Sequence, residues 1–200
     1  MRKIPILIIL ILACFNQALS DRWLPPKVTD YYSANKKYFA RIVPRTVPEN
    51  YYVWRKASVS EKKKFLPSDT AVVQCHAIMY KKTQSGDSIL WTRKLINAMA
   101  PVSAIVSDDG GYLVTFDNWH SVGYGVDVMV FYDKKGDLVK RHMLEDISPF
   151  PINDYPTSIS SLWWRCGQQF VDNRRVEICF VSGDEKIEKR IYNLEEKRIE

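Results

Sequence analysis

The stretch from Val106 to Leu144 decides the fold, and it reads V-S-D-D-G-G-Y-L-V-T-F-D-N-W-H-S-V-G-Y-G-V-D-V-M-V-F-Y-D-K-K-G-D-L-V-K-R-H-M-L. The D-D-G-G segment at 108–111 predicts a tight turn, because Gly and Asp accept turn conformations. The apolar run from Tyr112 to Phe116 is typical of a centrally buried strand. Two more strands, Asp127 to Tyr132 and Leu138 to Met143, are predicted around the Lys-Lys-Gly-Asp turn. The stretch therefore predicts a meander of antiparallel strands.

Similar strands are predicted on both sides of this central stretch. They combine β-branched and aromatic residues and are bounded by Gly, Pro, Asn and Asp. Before the central stretch they are Tyr38 to Val43, Ala71 to Lys81 and Ser88 to Leu95, and after it Ser158 to Phe170, Arg175 to Val181 and Lys186 to Leu194. An aromatic share of 12% suits such a chain, because aromatic rings pack well on pleated surfaces.

Two short elements recur along the chain. Gly-Asp pairs at 86–87, 136–137 and 183–184 each stand between an apolar strand and a mixed one, with spacings of 50 and 47 residues. A spacing near this value is typical of one four-stranded repeat unit with its connector. The second element is a turn that begins with Ser and leads into an aromatic residue and an apolar strand. It occurs at 33–40 and again at 107–114.

The S-D-D-G-G-Y-L-V segment at 107–114 resembles the S-P-D-G-K-Y-L-A motif at the inner strands of many β-propeller blades, and the segment at 127–138 resembles an outer strand pair. The resemblance implies blade-like units over about 31–95, 102–146 and 157–195. Propellers usually close with four to eight blades, and this chain has material for two to three. We therefore expect an all-β fold of antiparallel four-stranded blade-like repeats, as a partial β-propeller or an open β-meander. A β-sandwich is the alternative, and the Gly-His to Trp-Asp signature of WD40 repeats is missing.

The first 20 residues predict an export signal. Arg2 and Lys3 precede the aliphatic run from Ile6 to Ala13, and small residues near Ser20 suit a cleavage site. Residues 21–200 would then form a single secreted or periplasmic domain. An alternative is a lipobox at Ile11 to Cys14, which would make the protein a lipoprotein tethered to a membrane through Cys14.

The charge pattern predicts a solvated surface. The net charge of the whole chain is +6, and without the two positive charges of the leader it is +4. Acidic and basic residues alternate in most charged runs, and the cluster Lys62 to Lys64 is interpreted as a loop or helix face. We therefore expect no nucleic-acid partner. The chain after the leader contains no apolar run long enough for a transmembrane helix.

The cysteines predict one disulfide. Without the leader, Cys75, Cys166 and Cys179 remain. If Asp172-Asn173 is a two-residue hairpin turn, Cys166 faces Cys179 at a closely spaced position of an antiparallel pair. Such a pair can be bridged in an oxidising compartment. Cys75 lies in an apolar strand and is expected to be a buried, inert thiol.

The candidate ligand-binding site is the loop after the central strand, which contains Asp117, Asn118, Trp119, His120, Tyr124 and Asp127. A His near two carboxylates could act as a general base or a metal ligand. The alternative is an ordinary turn, since Asp and Asn are frequent turn residues. The acidic pair at 108–109 lacks the ligand spacing of a calcium loop, and His76 and His142 have no partners at zinc-ligand spacing.

These patterns lead to three functional hypotheses. The first is an exported, non-enzymatic domain that binds a protein partner or a small ligand through its strand-end loops. The second is a secreted hydrolase that uses Asp117, His120 and Asp127, and the third is a structural protein of the cell envelope. The sequence contains no motif for a cofactor, a phosphate or a metal, so we expect none of these. Self-association could complete a ring from two partial propellers.

Overall fold

The computed structural model describes residues 23–46 and 73–200. Within these residues the chain forms three antiparallel sheets of four strands each, so the all-β prediction is confirmed. The predicted leader, Cys14 and the Lys62–Lys64 cluster lie outside the described residues. No helix in the described residues is both long and apolar enough to cross a membrane.

The twelve strands follow one another through the sheets in chain order. The first sheet contains β1 (Thr29–Tyr32), β2 (Tyr38–Val43), β3 (His76–Thr83) and β4 (Gly86–Lys94). The second contains β5 (Pro101–Val106), β6 (Leu113–Asn118), β7 (Met129–Tyr132) and β8 (Leu138–His142). The third contains β9 (Arg165–Phe170), β10 (Arg175–Val181), β11 (Ile187–Asn193) and β12 (Arg198–Ile199). Short 3-10 helices at Leu144–Asp146 and Ile152–Asp154 connect the second and third sheets.

The sheets pack face to face as blade-like units. The first strands of the sheets adjoin, since β1 contacts β5 and β5 contacts β9. Among the described residues the arrangement is open, and no sheet closes into a propeller or a barrel. The repeat prediction is therefore confirmed at the level of three stacked four-stranded sheets.

The second sheet carries both hydrophobic cores. All four residues of β7 are buried, because the sheet is covered on both faces. Val130 and Tyr132 point to the first sheet, where they pack with Met79 and Trp91. Phe131 points to the third sheet and stacks on Tyr192, with ring centroids 4.6 Å apart. Because successive side chains of β7 point to opposite faces of the second sheet, this strand contacts both the first and the third sheet.

His142 forms a buried hydrogen bond between the second and third sheets. Its Nε2 lies 2.6 Å from the Tyr192 hydroxyl, and both side chains are buried. Burial lowers the pKa of His142, while the nearby Asp146 opposes that change. The hydrogen bond therefore joins a neutral imidazole to a buried phenol.

The turn element that recurs in the sequence recurs in the structure. Ser33 Oγ accepts a hydrogen bond from Tyr38 N at 3.1 Å, and Ser107 Oγ accepts one from Tyr112 N at 2.9 Å. Asp109 Oδ1 also caps its own turn by accepting from Gly111 N. The turns at 33–37 and 107–112 join the first two strands of their sheets, as the strand order requires.

The alignment of the third Gly-Asp pair is wrong. The pairs at 86–87 and 136–137 lie where the third and fourth strands of their sheets meet. The pair at 183–184 instead follows β10 and precedes β11, which are the second and third strands of their sheet. The fourth strand is β12, which follows the last strand predicted from the sequence, and it pairs with β11 through Tyr192 and Asn193. Gly and Asp suit any tight turn, so their spacing did not identify equivalent strands.

The long predicted strand from Ser158 to Phe170 is shorter in the structure. β9 begins at Arg165, and the preceding residues form a loop held by isolated bridges. In that loop Ser161 pairs with Val122, and Thr157 pairs with Leu162. The segment contains β-forming residues, but most of its backbone hydrogen bonds are made to residues in loops, such as Pro156 and Val122.

The predicted disulfide between Cys166 and Cys179 is present, with a Cα–Cα distance of 5.1 Å. The predicted register is wrong by one residue. Val171 N donates to Arg175 O, so the turn contains three residues and places Gly167 opposite Cys179. A bulge between Cys179 and Phe180 brings Cys166 back beside Cys179. Cys75 is a buried free thiol, as predicted, and burial raises its pKa to about 12.

Candidate functional site

The predicted site residues lie at the loop end of the sheets, which we define by the β6–β7 loop (119–128) and the segment 156–164. The opposite end, the turn end, contains the turns at 33–37, 107–112, 133–137 and 171–174. The two ends differ in chemistry. A binding loop requires side chains that reach solvent together.

Asp117 is fully buried and holds the structure together. Its φ of +59° ends β6, a conformation that Asp tolerates better than most residues. Its Oδ1 accepts hydrogen bonds from Gly123 N at 2.7 Å and from Trp164 Nε1 at 3.0 Å. Its Oδ2 accepts from Arg165 Nη2 at 3.2 Å. Every partner is a donor, so the carboxylate is engaged by the loop itself and by the third sheet.

The Asp117–Arg165 ion pair is shielded from water. Burial raises the pKa of Asp117, and the charge of Arg165 opposes that rise. Burial likewise lowers the pKa of Arg165, and Asp117 opposes this change. The guanidinium also lies 4.4 Å from the centroid of the Phe116 ring and donates to Ser103 Oγ at 3.1 Å. This pair therefore joins β5 and β6 to β9.

Of the next three predicted residues, Asn118 contacts the connector between β4 and β5, whereas Trp119 and His120 contact residues before β1. Asn118 Oδ1 accepts a hydrogen bond from Asn97 Nδ2 at 2.7 Å. Trp119 is mostly buried, and its Nε1 donates to Leu24 O at 2.9 Å. His120 has a φ of +66° and lies 6.0 Å from the Trp23 ring, measured between centroids.

Tyr124 and Asp127 lie further along the loop. Tyr124 is exposed, whereas Asp127 is largely buried and accepts a hydrogen bond from Arg141 Nε at 2.6 Å. Asp127 is therefore engaged by β8, and Asp117 by β9. The two carboxylates thus bind different arginines. Ligand binding by the predicted loop stays a prediction.

A cleft at the turn end has a volume of about 670 Å³. All three sheets contribute to it. It is lined by two tyrosines, three cationic and three acidic side chains, one leucine and two glycines: Tyr38, Tyr112, Lys81, Lys134, Arg174, Asp109, Asp133, Glu195, Leu90, Gly110 and Gly111.

Gly110 allows the turns of the first two sheets to approach closely. Its φ is +70°, and a Cβ built on it would lie 2.5 Å from Tyr38 Cδ1. The glycine thus combines a left-handed conformation with direct contact against an aromatic ring. It fixes the position of Tyr38 in the wall of the cleft.

The two tyrosines of the cleft occupy corresponding positions in the repeat. Each follows its serine-led turn, and each has a cation near its ring. Lys81 Nζ lies 5.9 Å from the Tyr38 ring centroid, and Arg174 Cζ lies 5.5 Å from that of Tyr112. Aromatic faces backed by cations provide flat contact surfaces beside polar groups.

The charges in the cleft are balanced and partly paired. Arg174 contacts Asp109 at 3.2 Å and Glu195 at 3.0 Å. Burial opposes ionisation of Asp109, but hydrogen bonds from Ser107 and Gly111 and the charge of Arg174 lower its pKa overall. Asp109 is therefore ionised at neutral pH, and Arg174 is held between two acidic groups.

This geometry suits binding better than acid–base chemistry, because its carboxylates are paired with cations or with backbone N–H groups. Asp133 Oδ1, for example, accepts from Lys135 N and Asp137 N. Sequence reasoning missed the cleft. The available signal was the second repeat element, since it placed Tyr38 and Tyr112 at equivalent positions. The side of the cleft formed by Arg174 and Glu195 belongs to the third sheet, so its position depends on how the sheets pack.

The chain matches no known protein-family model and has no significant similarity to any curated protein.

Proposed function

We propose that the chain is an exported, non-enzymatic β-repeat domain that binds a neutral polar ligand in the turn-end cleft. The observation that carries this proposal is the cavity of about 670 Å³ in which Tyr38 and Tyr112 lie among balanced charges. Ligand sites are concave, with apolar contact surfaces and a small number of polar groups that fix orientation. The cleft combines these properties.

The charge balance narrows the ligand class. Lys81, Lys134 and Arg174 are matched in number by Asp109, Asp133 and Glu195. A strongly anionic or cationic ligand would meet as much repulsion as attraction in such a site. A neutral ligand with a flat face could stack on a tyrosine ring and exchange hydrogen bonds with the paired charges.

Export is supported by the covalent chemistry of the chain. Disulfides persist in oxidising compartments, and Cys166 is bonded to Cys179. Together with the aliphatic stretch from Ile6 to Ala13, this favours a secreted or periplasmic location. Tethering through Cys14 remains the alternative form of the exported protein. Intact mass of the chain recovered from cells distinguishes a cleaved form from a diacylated one.

The binding proposal is tested by amide NMR shifts of the oxidised chain, titrated with neutral oligosaccharides and with capped, uncharged peptides. We expect at least one ligand to shift the amides of 109–112, 133–134 and 174. Tyr112→Ala should weaken binding of that ligand up to about tenfold, because stacking on an aromatic ring contributes roughly 0.5–1.5 kcal/mol. Tyr124→Ala, at the loop end, is the matched control.

Two results would overturn the proposal. In the first, ligand shifts cluster on 117–127, which would move the site to the predicted loop. In the second, the titrated compounds are turned over by the chain, which would favour the hydrolase hypothesis. The buried engagement of Asp117 with Arg165 argues for the binding function over that alternative.

A further inference from the structure

Large apolar side chains are exposed together at the loop end. Ile159 is 97% exposed, Leu24 77% and Trp163 59%, and Tyr124 and Val126 are also exposed. We call these five residues the loop-end patch. Single exposed apolar residues are common on protein surfaces, but a group of them marks an interaction site.

Backbone contacts make the patch continuous. Val122 pairs in parallel with Ser161, and Leu162 N donates to Val122 O at 3.0 Å. The loop with Tyr124 and Val126 therefore runs beside the segment that contains Ile159 and Trp163. Leu24 joins them because its carbonyl accepts a hydrogen bond from Trp119.

Two of the three segments that carry the patch contain no charged side chain, and the third, which contains Leu24, includes Lys27. Residues 118–126 read N-W-H-S-V-G-Y-G-V and residues 156–164 read P-T-S-I-S-S-L-W-W. The turn end is the opposite in this respect, since the turns at 107–112, 133–137 and 171–174 all contain acidic or basic residues. The β10–β11 turn, which also lies at the loop end, contains Asp184, Glu185 and Lys186, so the uncharged surface is confined to residues 118–126 and 156–164.

The N-terminal chain meets the domain at the same end. Trp23 Nε1 donates to Ser160 Oγ at 3.0 Å, and Trp23 packs edge-on against Trp119 with centroids 6.4 Å apart. The residues before Trp23 include the wholly aliphatic stretch from Ile6 to Ala13. An aliphatic segment held in a membrane during or after export would thus bring this end of the domain toward the lipid.

We propose that the loop-end patch docks on the surface of a lipid bilayer. Tryptophan and tyrosine favour the membrane–water interface, where an apolar ring can be buried while its polar group stays hydrated. Ile159 and Leu24 supply aliphatic side chains that can enter the acyl region, and the absence of charged side chains from 118–126 and 156–164 lowers the desolvation cost of these segments. The turn-end cleft then faces away from the membrane.

Hydrogen–deuterium exchange tests this docking surface. The oxidised chain recovered from cells is compared with and without vesicles of phosphatidylethanolamine and phosphatidylglycerol. We expect vesicles to slow exchange in 118–126 and 156–164 and to leave 133–137 unchanged. Protection confined to the turn end, or protection in neither region, would overturn the proposal.

Variants inside and outside the patch distinguish docking at a defined surface from nonspecific hydrophobic binding to vesicles. The double variant Ile159→Ser with Trp163→Ser should lower vesicle partitioning about tenfold or more, because burial of one large apolar side chain contributes roughly 1.5–3 kcal/mol. Leu138→Ser removes a comparably exposed side chain near the turn end and should leave partitioning unchanged. Equal loss in both would contradict a defined docking surface. Protection of 156–164 that grows with protein concentration without vesicles would instead identify a second copy of the chain as the occupant.

Discussion

Asn35 in the first turn of the first sheet donates two hydrogen bonds to Asp108 in the first turn of the second sheet. Asn35 N donates to Asp108 Oδ1 and Asn35 Nδ2 donates to Asp108 O, both at 2.8 Å. The next pair of turns is joined in the same direction, because Asp109 N donates to Asn173 Oδ1 at 3.1 Å. Side chains of the turns thus link each sheet to the next at the turn end.

Removing the Asp108 carboxylate should loosen the junction between the first and second sheets. Asp108→Ala should lower the free energy of unfolding by about 1 kcal/mol, the usual net contribution of a hydrogen bond. Asp108→Asn retains an oxygen acceptor and should lose less. Urea denaturation of both variants measures the difference, and equal losses would show that the hydrogen bond is not the cause.

Gly110→Ala should cost more stability than Gly125→Ala, although both glycines have left-handed conformations. Gly110 has a φ of +70° and its added Cβ would meet Tyr38, whereas Gly125 has a φ of +85° and open space around it. Gly125→Ala should cost about 1 kcal/mol from backbone strain alone. Gly110→Ala should cost roughly 1–3 kcal/mol more, because the ring must move.

The same pair of variants reports on the cleft. A displaced Tyr38 ring changes the cleft wall, so Gly110→Ala should weaken any ligand that shifts the amides of 109–112. Gly125→Ala should bind that ligand normally. Thermal denaturation gives the stability difference, and NMR titration gives the binding difference. Similar costs for the two glycines would contradict the close approach of the turns.

The buried Asp117–Arg165 pair should be the most sensitive polar contact of the domain. Asp117→Asn leaves the Arg165 guanidinium buried without a counter-charge, which typically costs about 3–5 kcal/mol. Asp127→Asn is the control, because its partner Arg141 is more exposed, with 37% of its side chain accessible. That variant should lose about 1 kcal/mol or less. Denaturant midpoints of the two variants provide the comparison.

This result also bears on the hydrolase hypothesis. Loss of a measured activity in an Asp117 variant would reflect unfolding unless the variant is first shown to be folded. His120→Ala is the cleaner test of chemistry at the loop end. A retained fold with lost activity in that variant would support the second hypothesis.

Local turn chemistry made much of the fold predictable. The D-D-G-G turn, the buried strand beginning near Leu113 and the serine-led repeat all depend on neighbouring residues, and all are present. The β12 strand was not predictable from the charged sequence, because Arg198 and Ile199 pair only after β11 is in place. The cysteine register was misjudged because one additional turn residue and one bulge compensate for each other.

The candidate sites depend more on packing than the strands do. His120, Asp117 and Asp127 are close in sequence, but Arg165 and Arg141 from other strands bind the two carboxylates. The cleft unites residues as distant as Tyr38 and Glu195. Local sequence does not specify how sheets stack, so neither relationship could be read from the residues alone.

Removal of the disulfide, which lies in the third sheet, should lower the free energy of unfolding of the domain. The bridge joins residues 13 apart, and closing a loop of that size stabilises the folded state by about 3 kcal/mol. We expect the Cys166→Ser and Cys179→Ser double variant to lose this amount in urea denaturation, and reductant should have the same effect on the unmodified chain. Reductant should not change the double variant further, since Cys75 is a free thiol.

Stability should decrease as the pH falls below the ordinary pKa of histidine, because of His142. Burial lowers the pKa of His142 in the folded state, so the unfolded chain binds a proton first. The full contribution is therefore present above about pH 6.5 and is lost as the pH falls toward the folded pKa. His142→Gln should flatten the stability curve between about pH 7.5 and 5.5. Asp146→Asn removes the carboxylate 3.6 Å from His142 Nδ1 and should steepen it, since that charge favours protonation. A curve that His142→Gln leaves unchanged would show that other groups control the pH dependence.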